Sequence, residues 1–298
     1  MTHALVASGG ASHGAWQLGY ARRFSELYPD FNPAIFCGTS VGGLFAAFAG
    51  MQPNFSEAMV AYEDFWRTQV HKTSDIYKPW WPSWLGSLAY IPALWKGSAF
   101  DASPLRKLIQ KRFDAERLRL SGKKVRLTSV DLLTSELRTH TERTIIDWKP
   151  VYATAVYPLG FDMQLLDDEG LHTDGGVREI APLKTAIDAG ATAIDVLATT
   201  PRDMPRWVDA EGPLRLLQRG LRVLSILSDE ILDNDIRQCL EVNSRVQAGL
   251  DRQHRYIHVR VHRPFAPLHE SSLNFNEEAW HINYERGWTD AALMACRS

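Results

Sequence analysis

The sequence predicts a single α/β domain in which helices flank a central, mostly parallel β-sheet. Two observations predict this fold class. Short apolar segments at residues 4–7 and 34–37 have the length of buried strands, and each is followed by a glycine-containing turn and then by an apolar helix. A third buried strand at residues 193–198 follows a helix that begins at Pro182, which repeats the alternation late in the chain.

The remaining predicted elements continue this pattern. We predict helices over residues 15–28, 41–51, 56–70, from 103 onward, 182–190, 214–250 and 277–295, the last broken at Gly287. We predict further strands over residues 124–130, 136–140, 144–146, 163–166 and 256–261, with a polar turn at 167–170. Residues 76–100, rich in Trp and Pro, are interpreted as an irregular insertion in one domain that spans residues 1–298.

Composition excludes several classes of function. The formal net charge is -2, so no surplus of basic residues is present to bind a nucleic-acid backbone. The three cysteines, Cys37, Cys239 and Cys296, are too widely spaced for a disulfide framework or a zinc motif. The sequence shows no signal-peptide pattern and no apolar run of membrane-spanning length, so we expect a cytoplasmic protein, at most peripheral to a membrane.

The segment Gly38-Thr39-Ser40-Val41-Gly42 fits the pattern Gly-x-Ser-x-Gly between a predicted strand and a predicted helix. This context is typical of a nucleophile elbow, a turn so tight that the positions flanking the serine must lack bulk. The following helix directs the positive end of its dipole towards the serine hydroxyl. We therefore interpret Ser40 as a candidate nucleophile, with Gly38 and Gly42 as the elbow glycines.

A glycine-rich loop follows the first strand and includes Gly9, Gly10, Ala11 and Gly14. Such a loop can direct several backbone N–H groups at one anion, either an oxyanion or a phosphate. The spacing Gly9-x-Ala11-x-x-Gly14 is one change from a dinucleotide-binding fingerprint, which expects an acidic residue at the end of the second strand. Here the second strand ends in Cys37 and Gly38, which favours an oxyanion hole, but a nucleotide-binding protein remains the alternative.

A third motif, Asp174-Gly175-Gly176, is consistent either with an ordinary turn or with a carboxylate presented at the edge of the sheet. In order, the three motifs resemble those of the patatin-like phospholipase family. Two further segments, at residues 100–106 and 287–291, also look like parts of that family. The resemblance therefore extends over nearly the whole chain.

The resemblance implies a serine acyl hydrolase acting on lipid esters, with no cofactor or metal. Ser40 is then the nucleophile, Asp174 its base in a dyad without histidine, and the oxyanion loop consists of Gly9, Gly10, Ala11 and Gly14. Two residues depart from the family: Ala11 stands where a third glycine is usual, and His13 stands where Arg or Lys is usual. A catalytically silent, lipid-binding relative is a further alternative.

Several other residues are candidates for different chemistry. A Ser-His-Asp triad would need a late histidine such as His269 or His262, but both are interpreted as surface or packing residues. His258 and His262 share one strand face with Arg260, whose charge opposes metal binding, so we predict a solvated face there. We interpret the acidic residues at 63–64 and 167–169 as surface charge.

Four tryptophans lie between Trp80 and Trp95. Aromatic side chains with a polar edge favour membrane interfaces and also line acyl pockets, although a packed loop has the same composition. We hypothesise that this segment covers the site and contacts lipid at a membrane surface.

Overall fold

A computed structural model describes residues 1–158, 160–166, 170–202, 215–269 and 271–296. Within these residues one eight-stranded sheet forms the centre of the molecule, with the order β5-β6-β3-β2-β1-β7-β8 and β4 paired to β3. The strands are β1 (His3–Ala7), β2 (Ile35–Gly38), β3 (Lys124–Asp131), β4 (Leu137–Thr141), β5 (Gln164–Leu165), β6 (Leu171–Asp174), β7 (Ala193–Leu197) and β8 (His258–His262). Five neighbouring strands of this sheet, β3, β2, β1, β7 and β8, are parallel to one another.

Helices cover both faces of the sheet. They are α1 (Gly14–Leu27), α2 (Val41–Gly50), α3 (Phe55–Gln69), α4 (Ala93–Lys96), α5 (Ser103–Arg112), α6 (Ala115–Leu120), α7 (Lys149–Ala153), α8 (Leu183–Asp188), α9 (Arg215–Gln247) and α10 (Glu277–Ala295). Alternate residues of β1 belong to different cores: Leu5 and Ala7 pack on the side of α1 and α2, whereas Ala4 and Val6 pack on the side of α8 and α9. The predicted α/β fold class is confirmed.

Some predicted elements are wrong or were missed. Residues 144–146 do not form a strand, because Thr144 closes a turn in which its N–H donates to the carbonyl oxygen of Thr141 at 2.8 Å. Helices α6 and α7 and strand β6 were not predicted, and the Trp-rich segment contains a 3-10 helix at Ser83–Tyr90 and the short α4. The acidic residues of the predicted turn, 167–169, lie outside the described residues.

Gly287 does not break the C-terminal helix, because α10 continues through it to Ala295. A Cβ atom at Gly287 would lie 2.1 Å from the carbonyl oxygen of Trp16, and one at Gly19 would lie 2.0 Å from that of Tyr284. The two glycines therefore allow the backbones of α1 and α10 to approach closely. The indole N–H of Trp16 also donates to Asp290 Oδ2 at 2.8 Å across this contact. Among the described residues, no helix is both long and apolar enough to cross a bilayer.

We predict that Gly287→Ala destabilises the protein by about 1–3 kcal/mol, because a fixed backbone atom occupies the position of the added methyl group. Gly220→Ala is the matched control, since no atom of the described part of the chain lies within 4 Å of a Cβ at that helical position. The control is expected to be neutral or to stabilise by up to about 1 kcal/mol. Chemical denaturation of both variants checks this, and equal stability of the two would contradict the close helix contact.

Candidate active site

Ser40 lies in a strained turn between β2 and α2, with φ 59° and ψ -131°. Non-glycine residues rarely adopt a positive φ, and each such residue costs on the order of 1–3 kcal/mol. The turn is so compact that a Cβ at Gly38 would lie 2.0 Å from the Gly42 carbonyl oxygen, and one at Gly42 would lie 2.1 Å from that of Ala7. The Ser40 N–H donates to the Thr154 carbonyl oxygen at 3.0 Å, which holds the turn in place.

Asp174 reaches Ser40 because two strands share one edge of β3. On one edge, β3 pairs with β4 through residues 126–130. On the other edge, β3 pairs first with β2, where Gly38 is opposite Leu127, and then with β6, where Asp174 is opposite Ser129. The carboxyl ends of β2 and β6 therefore meet end to end along β3, which brings their terminal residues together.

The Asp174 carboxylate is 3% exposed and accepts the Gly176 N–H at 2.8 Å. Burial raises the pKa of Asp174 to about 7, and the hydrogen bonds donated by the Ser40 hydroxyl and the Gly176 N–H only partly oppose this effect. The structure thus places the two predicted dyad residues close together, and both line one cavity. A carboxylate with this pKa is a far stronger base than an exposed aspartate.

The glycine-rich loop presents two backbone N–H groups rather than four. The Gly9 N–H donates to the Ile180 carbonyl oxygen at 3.1 Å, and the Gly14 N–H bonds to the preceding turn. Within the described residues, the N–H groups of Gly10 and Ala11 have no protein acceptor. The N–H groups of Gly9 and Gly14 are therefore already bonded within the protein, and those of Gly10 and Ala11 are the candidate donors of this loop.

The two departures from the family pattern lie in this loop. Ala11 has φ 49°, so it occupies the left-handed region that favours the glycine usual at this position. The Ala11 N–H is retained, because a side chain does not change the number of backbone donors. His13 ends a short 3-10 turn over Ala11–His13, in which the His13 N–H donates to the Gly10 carbonyl oxygen at 3.0 Å.

One cavity of about 160 Å³ joins these parts of the chain. It is lined by Ser40 and Asp174, by the loop residues Gly9, Gly10 and Ala11, and by a wall of larger side chains. That wall includes Tyr157, Val177, Ile180, Leu227, Ile231 and Leu232. Helix α9 supplies the last three. The sequence does not predict this contribution, because the pattern of an amphipathic helix does not reveal what its apolar face covers.

The histidine alternatives lie outside this arrangement. His262 is buried, and its ring nitrogens bond to Asp195 Oδ1 at 2.8 Å and to the Tyr20 hydroxyl at 2.7 Å, so neither is available to Ser40. The prediction of a solvated face is therefore wrong for His262. Arg260 also donates a hydrogen bond to Asp195. Burial alone would raise the pKa of Asp195, but the hydrogen bonds from His262 and Arg260 hold it below its ordinary value.

His269 lies on the segment before α10, where its N–H donates to Asn283 Oδ1 at 2.8 Å. In the described part of the chain, no group of three or more His, Cys, Asp or Glu side chains is arranged to hold a metal ion. Thr39 follows β2 at the position where a ribose-binding acid would be expected, and its hydroxyl donates to the Glu179 carbonyl oxygen at 2.9 Å. These observations do not favour a triad or a dinucleotide site.

Comparison with known proteins gives one family match. A family model described as patatin-like phospholipase matches residues 5–187, a range that includes the glycine-rich loop, the elbow and Asp174. No curated protein matches the chain significantly. Among solved structures, the crystal structure of VipD from Legionella pneumophila is similar, with a TM-score of 0.48 and 12% sequence identity. The alignment covers 99% of this chain and 67% of the VipD chain.

The buried carboxylate predicts a specific dependence of stability on pH. The folded pKa of Asp174, about 7, lies above the ordinary value of 3.8, so the folded state binds the proton more tightly. The stability that this group contributes at low pH is therefore lost as the pH rises towards 7. We expect Asp174→Asn to be more stable than the wild type by about 2–4 kcal/mol at pH 8, but by little at pH 4. Denaturation of both proteins across this pH range measures the difference in free energy of unfolding. If Asp174 had the ordinary pKa of an exposed aspartate, this difference would not change between pH 4 and pH 8.

Proposed function

Because the chain belongs to the patatin-like phospholipase family, we propose that it hydrolyses carboxylic esters of lipids through an acyl-enzyme on Ser40, with Asp174 as the base. One observation carries the proposal. The Ser40 side chain lies beside the buried Asp174 carboxylate in a cavity that the loop residues Gly10 and Ala11 also line. Nucleophile, base and oxyanion donors are the three parts that acyl transfer requires.

In the first step Asp174 accepts the proton of Ser40 while the serine oxygen attacks the ester carbonyl carbon. The burial that raises the pKa of Asp174 makes this transfer less unfavourable than it is for an exposed carboxylate. No histidine takes part. The proton then passes to the departing alcohol, and the acyl group remains on Ser40 as an ester.

Negative charge develops on the carbonyl oxygen during the attack. The donors proposed for this oxygen are the N–H groups of Gly10 and Ala11, which have no acceptor among the described residues. The N-terminal end of α2, immediately after Ser40, adds a positive dipole. In the second half of the reaction Asp174 activates a water molecule, and the same donors hold the second oxyanion.

The cavity wall supports an acyl chain as the substrate group. Ile180, Ile231 and Leu232 form an apolar part of the wall on which an acyl chain can pack, and Ser228 and Asp229 form a polar part. The residues after β2 include no acid to hold a ribose, which does not support the nucleotide-binding alternative. A catalytically silent relative differs from the proposed enzyme in one measurable property, the reactivity of Ser40.

We predict that a fluorophosphonate probe labels the wild type, that Ser40→Ala abolishes labelling, and that Asp174→Asn slows it at least about 10³-fold. The same variants lose hydrolysis of p-nitrophenyl esters and phospholipids to the same extent. Ser244→Ala, which removes an exposed hydroxyl far along α9, serves as the control and retains full activity. Labelling of Ser40→Ala at the wild-type rate would exclude Ser40 as the nucleophile.

We further propose that the segment from Trp80 to Trp95 contacts the lipid surface. Trp84 is 81% exposed and Trp95 78% exposed, values that leave most of each ring in water. Trp80, in contrast, is hydrogen-bonded within the protein, since its indole N–H donates to the Ser98 carbonyl oxygen at 3.0 Å. Exposed tryptophans at one surface favour the polar-apolar boundary of a membrane.

The base of this segment is attached close to the active site. Ser98 Oγ donates to Asp162 Oδ1 at 2.7 Å, and the Phe100 N–H donates to the Gly160 carbonyl oxygen at 2.9 Å. Gly160 and Asp162 come shortly after Tyr157 and Pro158 in the chain, and both Tyr157 and Pro158 line the cavity. Lipid contact through the tryptophans would therefore hold the cavity near the source of its substrate.

We predict that the double variant Trp84→Ala, Trp95→Ala binds phosphatidylcholine vesicles at least about tenfold more weakly than the wild type, because two large apolar surfaces are lost. Hydrolysis of a soluble short-chain ester is expected to stay unchanged. Leu120→Ala removes an apolar side chain that is equally exposed elsewhere and controls for general surface hydrophobicity. Vesicle cosedimentation measures binding, and equal binding of the double variant and the wild type would contradict the proposed lipid contact.

A further inference from the structure

Thr199 lies two residues after the end of β7 and contacts the glycine-rich loop. Its side chain is 2% exposed, and its hydroxyl donates to the Gly9 carbonyl oxygen at 2.6 Å. Its N–H donates to Ser8 Oγ at 3.1 Å. None of the three sequence motifs includes Thr199, because the contact depends on β7 pairing with β1 in the sheet.

The Gly9 carbonyl and the Gly10 N–H belong to the same peptide group. In a trans peptide these two groups point in opposite directions, and none of the described residues forms a cis peptide bond. A hydrogen bond that fixes the Gly9 carbonyl oxygen on the side of Thr199 therefore directs the Gly10 N–H away from Thr199. Gly10 lines the cavity that contains Ser40, and its N–H has no protein acceptor within the described residues.

A peptide between two glycines needs such an anchor. Glycine adopts positive and negative φ with nearly equal ease, so the plane of a Gly-Gly peptide rotates at low energetic cost. Gly10 itself has φ 152°. Without a partner for the Gly9 carbonyl, the Gly10 N–H would spend part of its time pointing away from the reacting carbonyl, and it would then not stabilise the oxyanion.

Neighbouring contacts hold the anchor itself in place. The Ser8 hydroxyl also donates to the Gly9 carbonyl oxygen, at a longer distance of 3.0 Å. The Gln17 amide donates to the carbonyl oxygens of Ser8, at 2.9 Å, and Leu197, at 2.8 Å, which ties the end of β1 to the end of β7. Thr199 also fills the space beside Gly10, since a Cβ atom added to Gly10 would lie 2.1 Å from Thr199 Oγ1.

We propose that Thr199 is a positioning residue for the reaction: its hydroxyl fixes the Gly9–Gly10 peptide so that the Gly10 N–H faces the oxyanion. The inference rests on the proposed function, because an oxyanion forms only if Ser40 attacks a carbonyl group. Thr199 acts through Gly10 and needs no contact with the substrate. Its loss affects the transition state, where the oxyanion exists, and leaves binding of the uncharged ester nearly unaltered.

Three variants test the role. Thr199→Val keeps the shape and removes the hydroxyl, Thr199→Ala removes the hydroxyl with no added bulk, and Thr199→Ser keeps the hydroxyl. We expect the first two to lower kcat for a p-nitrophenyl ester about 10- to 100-fold, a smaller loss than deletion of an oxyanion donor, with KM changed less than about twofold. Thr199→Ser is expected to restore kcat to within about threefold of the wild type, and fluorophosphonate labelling rates follow the same order.

Thr192→Val is the matched control, since Thr192 lies just before the other end of β7 and its hydroxyl likewise bonds to the backbone, at Thr2. This control keeps wild-type kcat. Melting curves identify folded variants, and Thr199→Ala carries the comparison with Thr199→Ser if Thr199→Val does not fold. Wild-type labelling rates in the folded variants that lack the hydroxyl would overturn the positioning role and leave the proposed function intact. A wild type that the probe does not label would overturn both.

Discussion

The whole site depends on the way in which β3 uses one of its edges for two different partners. β2 occupies the first part of that edge and β6 the second, so the ends of both strands converge opposite residues 127–129. Ser40, two residues after the end of β2, and Asp174, the last residue of β6, are then neighbours without any flexible connection. The opposite directions of the two strands make this possible: β2 runs parallel to β3 and β6 antiparallel to it, so their carboxyl ends point towards each other.

Several parts of the site are unfavourable for stability, and the surrounding structure offsets them. A carboxylate is buried at Asp174, and positive φ values occur at Ser40 and Ala11. Each of these would relax in an isolated peptide, since desolvation and backbone strain oppose it. They persist because the site lies between two apolar cores and because the close contact of α1 with α10 fixes the start of α1 next to the glycine-rich loop.

The sequence was sufficient for the features that are local in the chain. The elbow at Ser40, the glycine-rich loop and the turn after Asp174 each consist of a few consecutive residues whose conformation the glycines largely determine. Features that need two distant segments were missed or misjudged. Thr199, the wall of α9 and the role of Gly287 depend on packing partners that no local pattern reveals. His262 was assigned to a solvated face because its partner, Asp195, belongs to the neighbouring strand.

Because α9 contributes to the cavity, the shape of the cavity wall and the geometry around Ser40 depend on different elements of the fold. Ser40, Asp174 and the glycine-rich loop lie at or just after the ends of strands, whereas Leu227, Ile231 and Leu232 come from a single helix. Substitutions at these three positions can alter the depth and width of the cavity without disturbing the geometry around Ser40. Under the proposed function, the preferred chain length can therefore diverge while the reaction stays the same, and profiles of hydrolysis against acyl length for α9 variants would display that independence.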